Sequence, residues 1–551
     1  MIDIERCPHC GTRETRFAAL GTVKLTKETT RKWKCEILLR SDLSKKWDSV
    51  SGIRLKVQCR CSSGPKKKLT CQYPLEERIL IECDVCVIGG GPGGLLAATT
   101  LAMRGRKVVV ANEGPLMGYG IEGAFKSKSE FEITRHYLQS RFRPEVFGNS
   151  SPPAWRSVRA GIERSAQGLN VSLEDRLRRF GVILIGGHAT FENRNTVLIN
   201  DESVRAAQVI IATGTLPRLF PGIDVDGHHV VTSDEIMRID SLPESLVVLG
   251  GGVIGCEFAG MFAALGSRVK LIDTQHRILA SEDQDISDFL SKAMVRNGVE
   301  VMSSCRFKSL KLENGMVHTR LTNNVTLESE VILLAVGRTP CTQELNLESV
   351  GIDVDDRGYV PTNQHMQTNI PNIYAVGDVG LRNTPVDMAL VHVAQAEGRC
   401  SAYHILGEDF HQSMDHIPYI IFTLPMVAGA GLAESVASEK YGNVRVGKYP
   451  FVRNHRAHAM GTPFGFVKLI VGPDGDDRML GIRAIGRDVD SLISAASIMI
   501  EQQLPYTYLL NSIMPHPSLM ECLQGAANII SGDALAFEEY EEFPTEGYFP
   551  S

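Results

Sequence analysis

A glycine pattern that occurs twice constrains this chain more than any other feature. Residues 86–128 read CVIGGGPGGLLAATTLAMRGRKVVVANEGPLMGYGIEGAFKSK. The apolar run Val85 to Ile88, bounded by glycines, predicts a buried parallel strand. Gly89, Gly91 and Gly94 follow at G-x-G-x-x-G spacing, and Leu95 to Arg104 reads as a helix. In such a turn one glycine permits the tight bend, one lets the backbone approach a pyrophosphate, and one lets helix and strand pack closely. The pyrophosphate then rests on the free N–H groups and positive dipole end of the helix. Residues 245–273 repeat the arrangement as strand, Gly250-x-Gly252-x-x-Gly255, helix, second strand and Asp273. Two complete fingerprints predict two bound dinucleotides, the arrangement of a flavoprotein that takes hydride from a nicotinamide.

Length and composition exclude several other classes. A chain of 551 residues, 43% hydrophobic and 22% charged, suits a globular protein of roughly two to four domains. Its net charge of -6 argues against a polyanionic partner, so nucleic acid is not expected. No apolar run approaches the roughly 18 residues of a membrane span, and the sequence MIDIERCPHC lacks a secretory h-region. With 13 cysteines in a chain of this length, reduced thiols and a cytoplasmic location are expected.

Taken in order, residues 1–80 form a basic extension with 18 Lys plus Arg against 9 Asp plus Glu. Cys7 and Cys10 make a C-x-x-C knuckle that could hold zinc, given two further ligands. Cys59 and Cys61 are the nearest pair but have the wrong spacing, and Cys35 and Cys71 are spare candidates. A basic appendage with free thiols is the alternative. Residues 81–217 and 346–415 make the first nucleotide unit, 218–345 the second, 416–535 a C-terminal α+β domain, and 536–551 an acidic tail. In the first unit the acid expected at the end of the second strand is replaced by Asn112, with Glu113 one step on. Asp273 in the second unit favours a free 2′-hydroxyl and so NAD, while His276 and Arg277 leave NADP open. Asn372 to Asp378, NIYAVGD, reads as a strand delivering Asp378 to the carboxyl end of a sheet, where open α/β sheets bind ligands.

The ordered set GGGPGG, ATG (212–214), GGGVIGCE (250–257), AVGR (335–338), AVGD (375–378) and HPSLME (516–521) is similar to the FAD-dependent pyridine nucleotide–disulfide oxidoreductases over about 82–535. Residues 271–288 look most like the soluble Si-specific pyridine nucleotide transhydrogenases of that group. The resemblance implies an α/β fold with two Rossmann-like domains, for FAD and NAD(P), and a C-terminal dimerisation domain. It implies FAD contacts from Gly89, Gly91, Gly94, Asn112 or Glu113, Gly214 and Asp378. NAD(P) contacts are implied for Gly250, Gly252, Gly255, Glu257, Asp273 and Gly337. His516 and Glu521 match the family's His-Pro-x-x-x-Glu dyad, which reaches the opposite subunit's flavin site and so implies a homodimer. Lys128 is the candidate flavin-side lysine.

One departure matters. Disulfide-using members carry C-x-x-x-x-C after the second strand, and ungapped alignment puts Ile121 and Lys126 there. No cysteine lies between Cys86 and Cys256. Without a dithiol the flavin itself must store the hydride, which points to ping-pong transfer from NAD(P)H to a second pyridine nucleotide. An NAD(P)H:quinone or dye reductase, a dihydrolipoamide dehydrogenase-like protein lacking dithiol activity, and a non-catalytic flavin sensor are the alternatives.

Overall fold

The computed structural model describes residues 80–142, 151–200, 202–381, 389–408, 410 and 412–532, plus the backbone of short strands before them. Those early strands pair Glu5–Arg6 with Arg13–Glu14, and form an antiparallel sheet from Thr22–Thr29, Lys32–Leu38 and Leu55–Cys59. Cys7 and Cys10 lie outside the described residues, as do residues 536–551.

The first unit opens with β1 (Leu80–Ile88), α1 (Pro92–Met103) and β2 (Val108–Asn112). Two long helices, α2 (Lys126–Phe142) and α3 (Trp155–Arg179), precede β3 (Ile183–Gly186). An antiparallel run follows: β4 (Ala189–Asn193), β5 (Thr196–Ile199) and β6 (Glu202–Ile211). The sheet order is β3-β2-β1-β6-β5-β4, with Ile373–Ala375 added in parallel beside β6. The central residues Val85 to Ile88 and Val108 to Ala111 are buried, so these strands are apolar without alternation.

The second unit is an insertion between β6 and Ile373–Ala375. It contains β7 (Val230–Thr232), β8 (Ser245–Leu249), α4 (Val253–Leu265), β9 (Arg268–Ile272), α5 (Gln284–Arg296), β10 (Val299–Met302) and β11 (Val331–Leu334). Its five strands run parallel in the order β7-β11-β8-β9-β10. The outbound segment Thr215–Pro217 pairs antiparallel with the returning Arg338–Pro340, so a two-stranded ribbon joins the units.

Helix α6 (Val391–Leu406) closes the first unit against α1. The C-terminal domain is an antiparallel sheet, β12 (Tyr419–Ile421), β13 (Met426–Gly431), β14 (Arg445–Pro450), β15 (Gly465–Val471) and β16 (Met479–Gly486), in the order β12-β13-β16-β15-β14. Helices α7 (Asp490–Glu501) and α8 (Met520–Ser531) pack on it. A buried ionic cluster docks this domain on the second unit. Lys468, 2% exposed, meets Asp283 at 2.7 Å, Asp285 at 2.8 Å and Glu434 at 3.0 Å. An unpaired ammonium there would be costly, and three carboxylates compensate it.

The expected α/β architecture is present, with shifts at element ends. Helix α1 begins at Pro92 rather than Leu95 because Pro at the first helical position costs no hydrogen bond. Asp378 sits in a 3-10 turn, Gly377–Val379, just past the strand rather than on it.

Candidate active site

The two glycine turns solve one packing problem with the same atoms. Gly89 has φ +108°, and a Cβ there would lie 2.3 Å from the Ala212 carbonyl oxygen. Gly250 has φ +109°, and its Cβ would lie 2.2 Å from the Ala335 carbonyl oxygen. A Cβ on Gly94 or Gly255 would strike the carbonyl oxygen of the first glycine, at 2.3 Å and 1.8 Å. The middle glycines differ: the nearest atom to a Gly91 Cβ is 3.7 Å away, and Gly252 has nothing within 4 Å. These bare backbones face two cavities, of about 880 Å³ at the first turn and about 1400 Å³ at the second. A glycine cradle at a helix N-terminus, opening on a space of that size, fits a pyrophosphate. Gly214, at φ +67°, lines the first cavity, and Gly337, at φ +108°, lines the second.

The residues after the second strands diverge. Asn112 Oδ1 accepts from Gly90 N–H at 2.7 Å while its Nδ2 donates to Gly114 O at 2.8 Å. Each end of the amide makes one bond within the turn, and Asn112 also lines the first cavity. Glu113 is exposed at the cavity rim, 3.3 Å from His188 Nδ1. Asp273 accepts from Gly251 N–H and from Gln275 N–H at 2.7 Å, and lines the second cavity with lone pairs to spare. Arg277, a candidate for a 2′-phosphate, is turned away. Its Nη2 donates to Ala280 O at 2.9 Å and Glu282 O at 2.8 Å, and neither it nor His276 lines the cavity.

The cavities meet at a waist lined by Tyr119, Gly120, Ala124, Arg338, Asp378 and Val391. Lys128, on the first turn of α2, reaches across to Glu257 on α4, with Nζ 3.0 Å from Oε2 and 3.2 Å from Oε1. Glu257 is 4% exposed and also accepts from Phe422 N–H at 2.8 Å. The ammonium lies 5.0 Å over the Phe422 ring. Sequence separates Lys128 and Glu257 by more than a hundred residues, yet the fold makes them one charge pair. Asp378 borders both cavities, its turn fixed by Gly377 N–H donating to buried Glu397 at 2.6 Å.

The ungapped register at the expected cysteine positions needs correction. Ile121 is 4% exposed and lines neither cavity, and Lys126 is held away by Glu122 at 2.8 Å and Glu163 at 2.7 Å. A tight π-type turn, Gly120–Phe125, carries the chain into α2. Tyr119 and Ala124, also five apart, are instead the pair that lines both cavities. Tyr119 lies under Arg338, whose guanidinium carbon is 4.0 Å from the ring centroid. Burial pushes the Tyr119 hydroxyl pKa up, against the opposing charge of Arg338. Two residues further into α2 than Lys128, Glu130 is fully buried with both carboxyl oxygens unpartnered, and burial pushes its pKa up to about 8.

At the C-terminal domain, His516 Nδ1 lies 2.8 Å from Glu521 Oε1, and Glu521 Oε2 accepts from Ser518 N–H at 2.8 Å. Partial burial opposes ionisation of Glu521, but the bonds from His516 and Ser518 outweigh it and hold the carboxyl below its ordinary pKa. Sequence reasoning missed His455, whose Nδ1 stands 3.4 Å from His516 Nε2. Asn454 ties that short helix to the dyad loop by donating to Ser518 O at 2.9 Å. Within one chain the dyad lines neither cavity. Among the described residues no group of three or more His, Cys, Asp or Glu could hold a metal, and no helix is long and apolar enough to cross a membrane.

Two glycine-cradled cavities sharing a charged waist, beside an antiparallel C-terminal domain, define a two-nucleotide oxidoreductase. Family comparison gives the same class: residues 83–398 match the pyridine nucleotide-disulphide oxidoreductases, and 417–527 match that family's dimerisation domain. The chain is 32% identical over 454 residues to a dihydrolipoyl dehydrogenase of Bacillus subtilis, covering 80% of this chain and 97% of the relative. It is 32% identical over 461 residues to dihydrolipoyl dehydrogenase of Trypanosoma brucei brucei, covering 80% and 95%. Among solved structures, LpdA of Mycobacterium tuberculosis superposes with TM-score 0.75 at 25% identity, over 81% of this chain and 99% of that one. The HOCl-induced flavoprotein disulfide reductase RclA of Escherichia coli gives TM-score 0.73 at 25% identity, over 81% and 100%. The chain belongs to the pyridine nucleotide-disulphide oxidoreductase family, whose members bind FAD and NAD(P). It is an FAD-dependent oxidoreductase of that family.

Proposed function

We propose that the chain transfers hydride from NAD(P)H through flavin to a second pyridine nucleotide, as a transhydrogenase does, and without a redox disulfide. The observation that carries this reading is the thiol-free waist. Tyr119 and Ala124 face it, and no cysteine occurs between Cys86 and Cys256. The free cysteines Cys305 and Cys341 line opposite cavities, and neither is among the residues the two cavities share. Dihydrolipoyl dehydrogenation is therefore not carried over from the relatives.

In this reading Gly89, Gly91 and Gly94 hold the FAD pyrophosphate, Asn112 and Glu113 border its adenosine end, and Gly214 and Asp378 line the rest of its path. Gly250, Gly252 and Gly255 hold the second dinucleotide, Asp273 its ribose hydroxyls, and Gly337 the far wall. Asp273 and the withdrawn Arg277 favour NAD over NADP. Bound FAD would supply the ring that accepts hydride and gives it back. The protein's part is orientation and charge. Lys128 reaches into the larger cavity beside the waist, and buried Glu257 fixes its direction. His516 and Glu521 would serve the partner's site in a homodimer, with Glu521 setting which imidazole nitrogen carries the proton.

Anaerobic titration tests the reading. NADH should bleach the yellow protein, and thio-NAD should restore the colour. Bleaching that only a quinone reverses would favour a quinone reductase. Absence of bleaching would overturn hydride transfer altogether.

A further inference from the structure

A dinucleotide crosses a sheet of this kind where the strand order reverses, and the reversal says which half lies where. In the second unit β8 carries the glycine cradle, Asp273 follows β9 on one side of it, and Gly337 follows β11 on the other. With Asp273 on the adenosine ribose, the nicotinamide half lies on the β11 side. Gly337 is close to the cradle, because the Ala335 carbonyl oxygen, two residues earlier, is the atom packed against Gly250. Arg218 is held at the same spot. Its backbone N–H donates to Gly337 O at 2.9 Å. Its guanidinium lies flat over that glycine, with the carbon and both terminal nitrogens 3.7, 3.9 and 3.9 Å from where a Cβ would be.

Charge accounting singles out this arginine. The two phosphates of a dinucleotide are anionic, and Glu257, Asp273, Asp378 and Asp490 already line the larger cavity. The cradle's N–H groups supply only partial charge. Four Lys or Arg side chains line the cavity, and three are committed. Lys128 is paired with Glu257, and Arg357 with Asp355 at 3.4 Å. Arg338 donates through Nη2 to Thr215 O at 2.7 Å and faces the charge of Asp234. Arg218 is exposed, donates only to Arg338 O at 3.3 Å, and among the described residues forms no ion pair.

We propose that Arg218 is the counter-ion of the nicotinamide-side phosphate of the second dinucleotide, and so a binding residue for that half of the molecule. The proposal rests on the reading that a nicotinamide dinucleotide fills the larger cavity. A guanidinium presents two N–H groups to one phosphate in a planar fork, which an ammonium cannot do. The adenosine-side phosphate lies toward Asp273, across the cradle, and is left to the glycine N–H groups.

The test is calorimetric titration of the FAD-loaded full chain, which needs no hydride transfer. ADP-ribose carries both phosphates, whereas AMP keeps only the adenosine-side one. Arg218→Met should weaken ADP-ribose binding about tenfold and leave AMP within about twofold. Arg218→Lys keeps the charge without the fork and should recover part of the loss. Added salt should narrow the gap between native and Arg218→Met proteins, because the group is exposed. Unchanged ADP-ribose binding in Arg218→Met overturns the proposal. So does an equal loss for AMP, or a loss that salt does not alter, since either would make the role structural. A native protein that binds neither probe would instead overturn the dinucleotide reading itself, and the proposal with it.

Discussion

In the first nucleotide unit the second strand ends in Asn112, a neutral amide tied to Gly90 and Gly114 at the edge of the cavity. In the second it ends in Asp273, whose carboxylate is anchored by Gly251 and Gln275 but still faces the cavity. The same contrast recurs beyond the strand. Glu130 in the first unit is buried with no partner, whereas Asp283 and Asp285 in the second share Lys468. The backbone of a dinucleotide turn is thus dictated by packing and repeats closely. Its acids are set by what each unit must hold or dock against, and they do not repeat.

The largest expected effects test the shared backbone. Gly250→Ala and Gly255→Ala should each lose at least ~3 kcal/mol of stability, because a rigid carbonyl occupies the space and Gly250 also has positive φ. Gly252→Ala should leave the melting temperature within a degree or two while weakening NADH binding. Equal melting losses at all three glycines would show that the middle one is also structural.

The next effect concerns pH, and the two units should respond with opposite signs. Glu130 is raised from 4.5 to about 8, so the unfolded chain ionises first as pH rises. Stability therefore falls between those values, by up to about 5 kcal/mol. Glu130→Met should flatten that fall in urea unfolding followed against pH. Burial also opposes ionisation of Asp285, yet Lys468 and Lys448 outweigh it and hold its pKa below 3.8. Its contribution is present above that value and lost as pH falls toward the lowered pKa, and Asp285→Asn should weaken this acid limb. A Glu130→Met protein with an unaltered slope between pH 4.5 and about 8 would break the comparison.

Smaller effects come from exchanging the strand-end residues. Asp273→Asn should weaken NADH binding roughly tenfold, about 1.4 kcal/mol, with less loss for NADPH. Asn112→Asp should cost about 1–2 kcal/mol of stability, since a carboxylate replaces the donor to Gly114 O. Calorimetric titration and thermal melts separate the two outcomes. Smallest is His455→Ala, expected to leave fold and flavin content intact and to change turnover by a few-fold, visible as a displaced pH profile.

Both glycine turns, Asp273 and the position of Asp378 were legible because each depends on residues close in sequence. Strand and helix ends moved by a few residues, as fraying and proline at a first turn lead one to expect. The pairing of Lys128 with Glu257, the withdrawal of Arg277 and the approach of His455 to His516 leave no local trace, since each joins separate elements. The cysteine-position register failed for another reason. An ungapped count treats the segment as uniform, whereas the π-type turn Gly120–Phe125 changes which side chains face inward.

The ribbon of Thr215–Pro217 and Arg338–Pro340 brings both ends of the second unit to one spot on the first. Topologically that unit is a cassette, entered and left through one double-stranded ribbon, and its packing on the C-terminal domain and on α2 is a separate attachment. A replacement cassette would have to keep Asp283 and Asp285 for Lys468 and Glu257 for Lys128, as well as the arginine that reaches back across the seam.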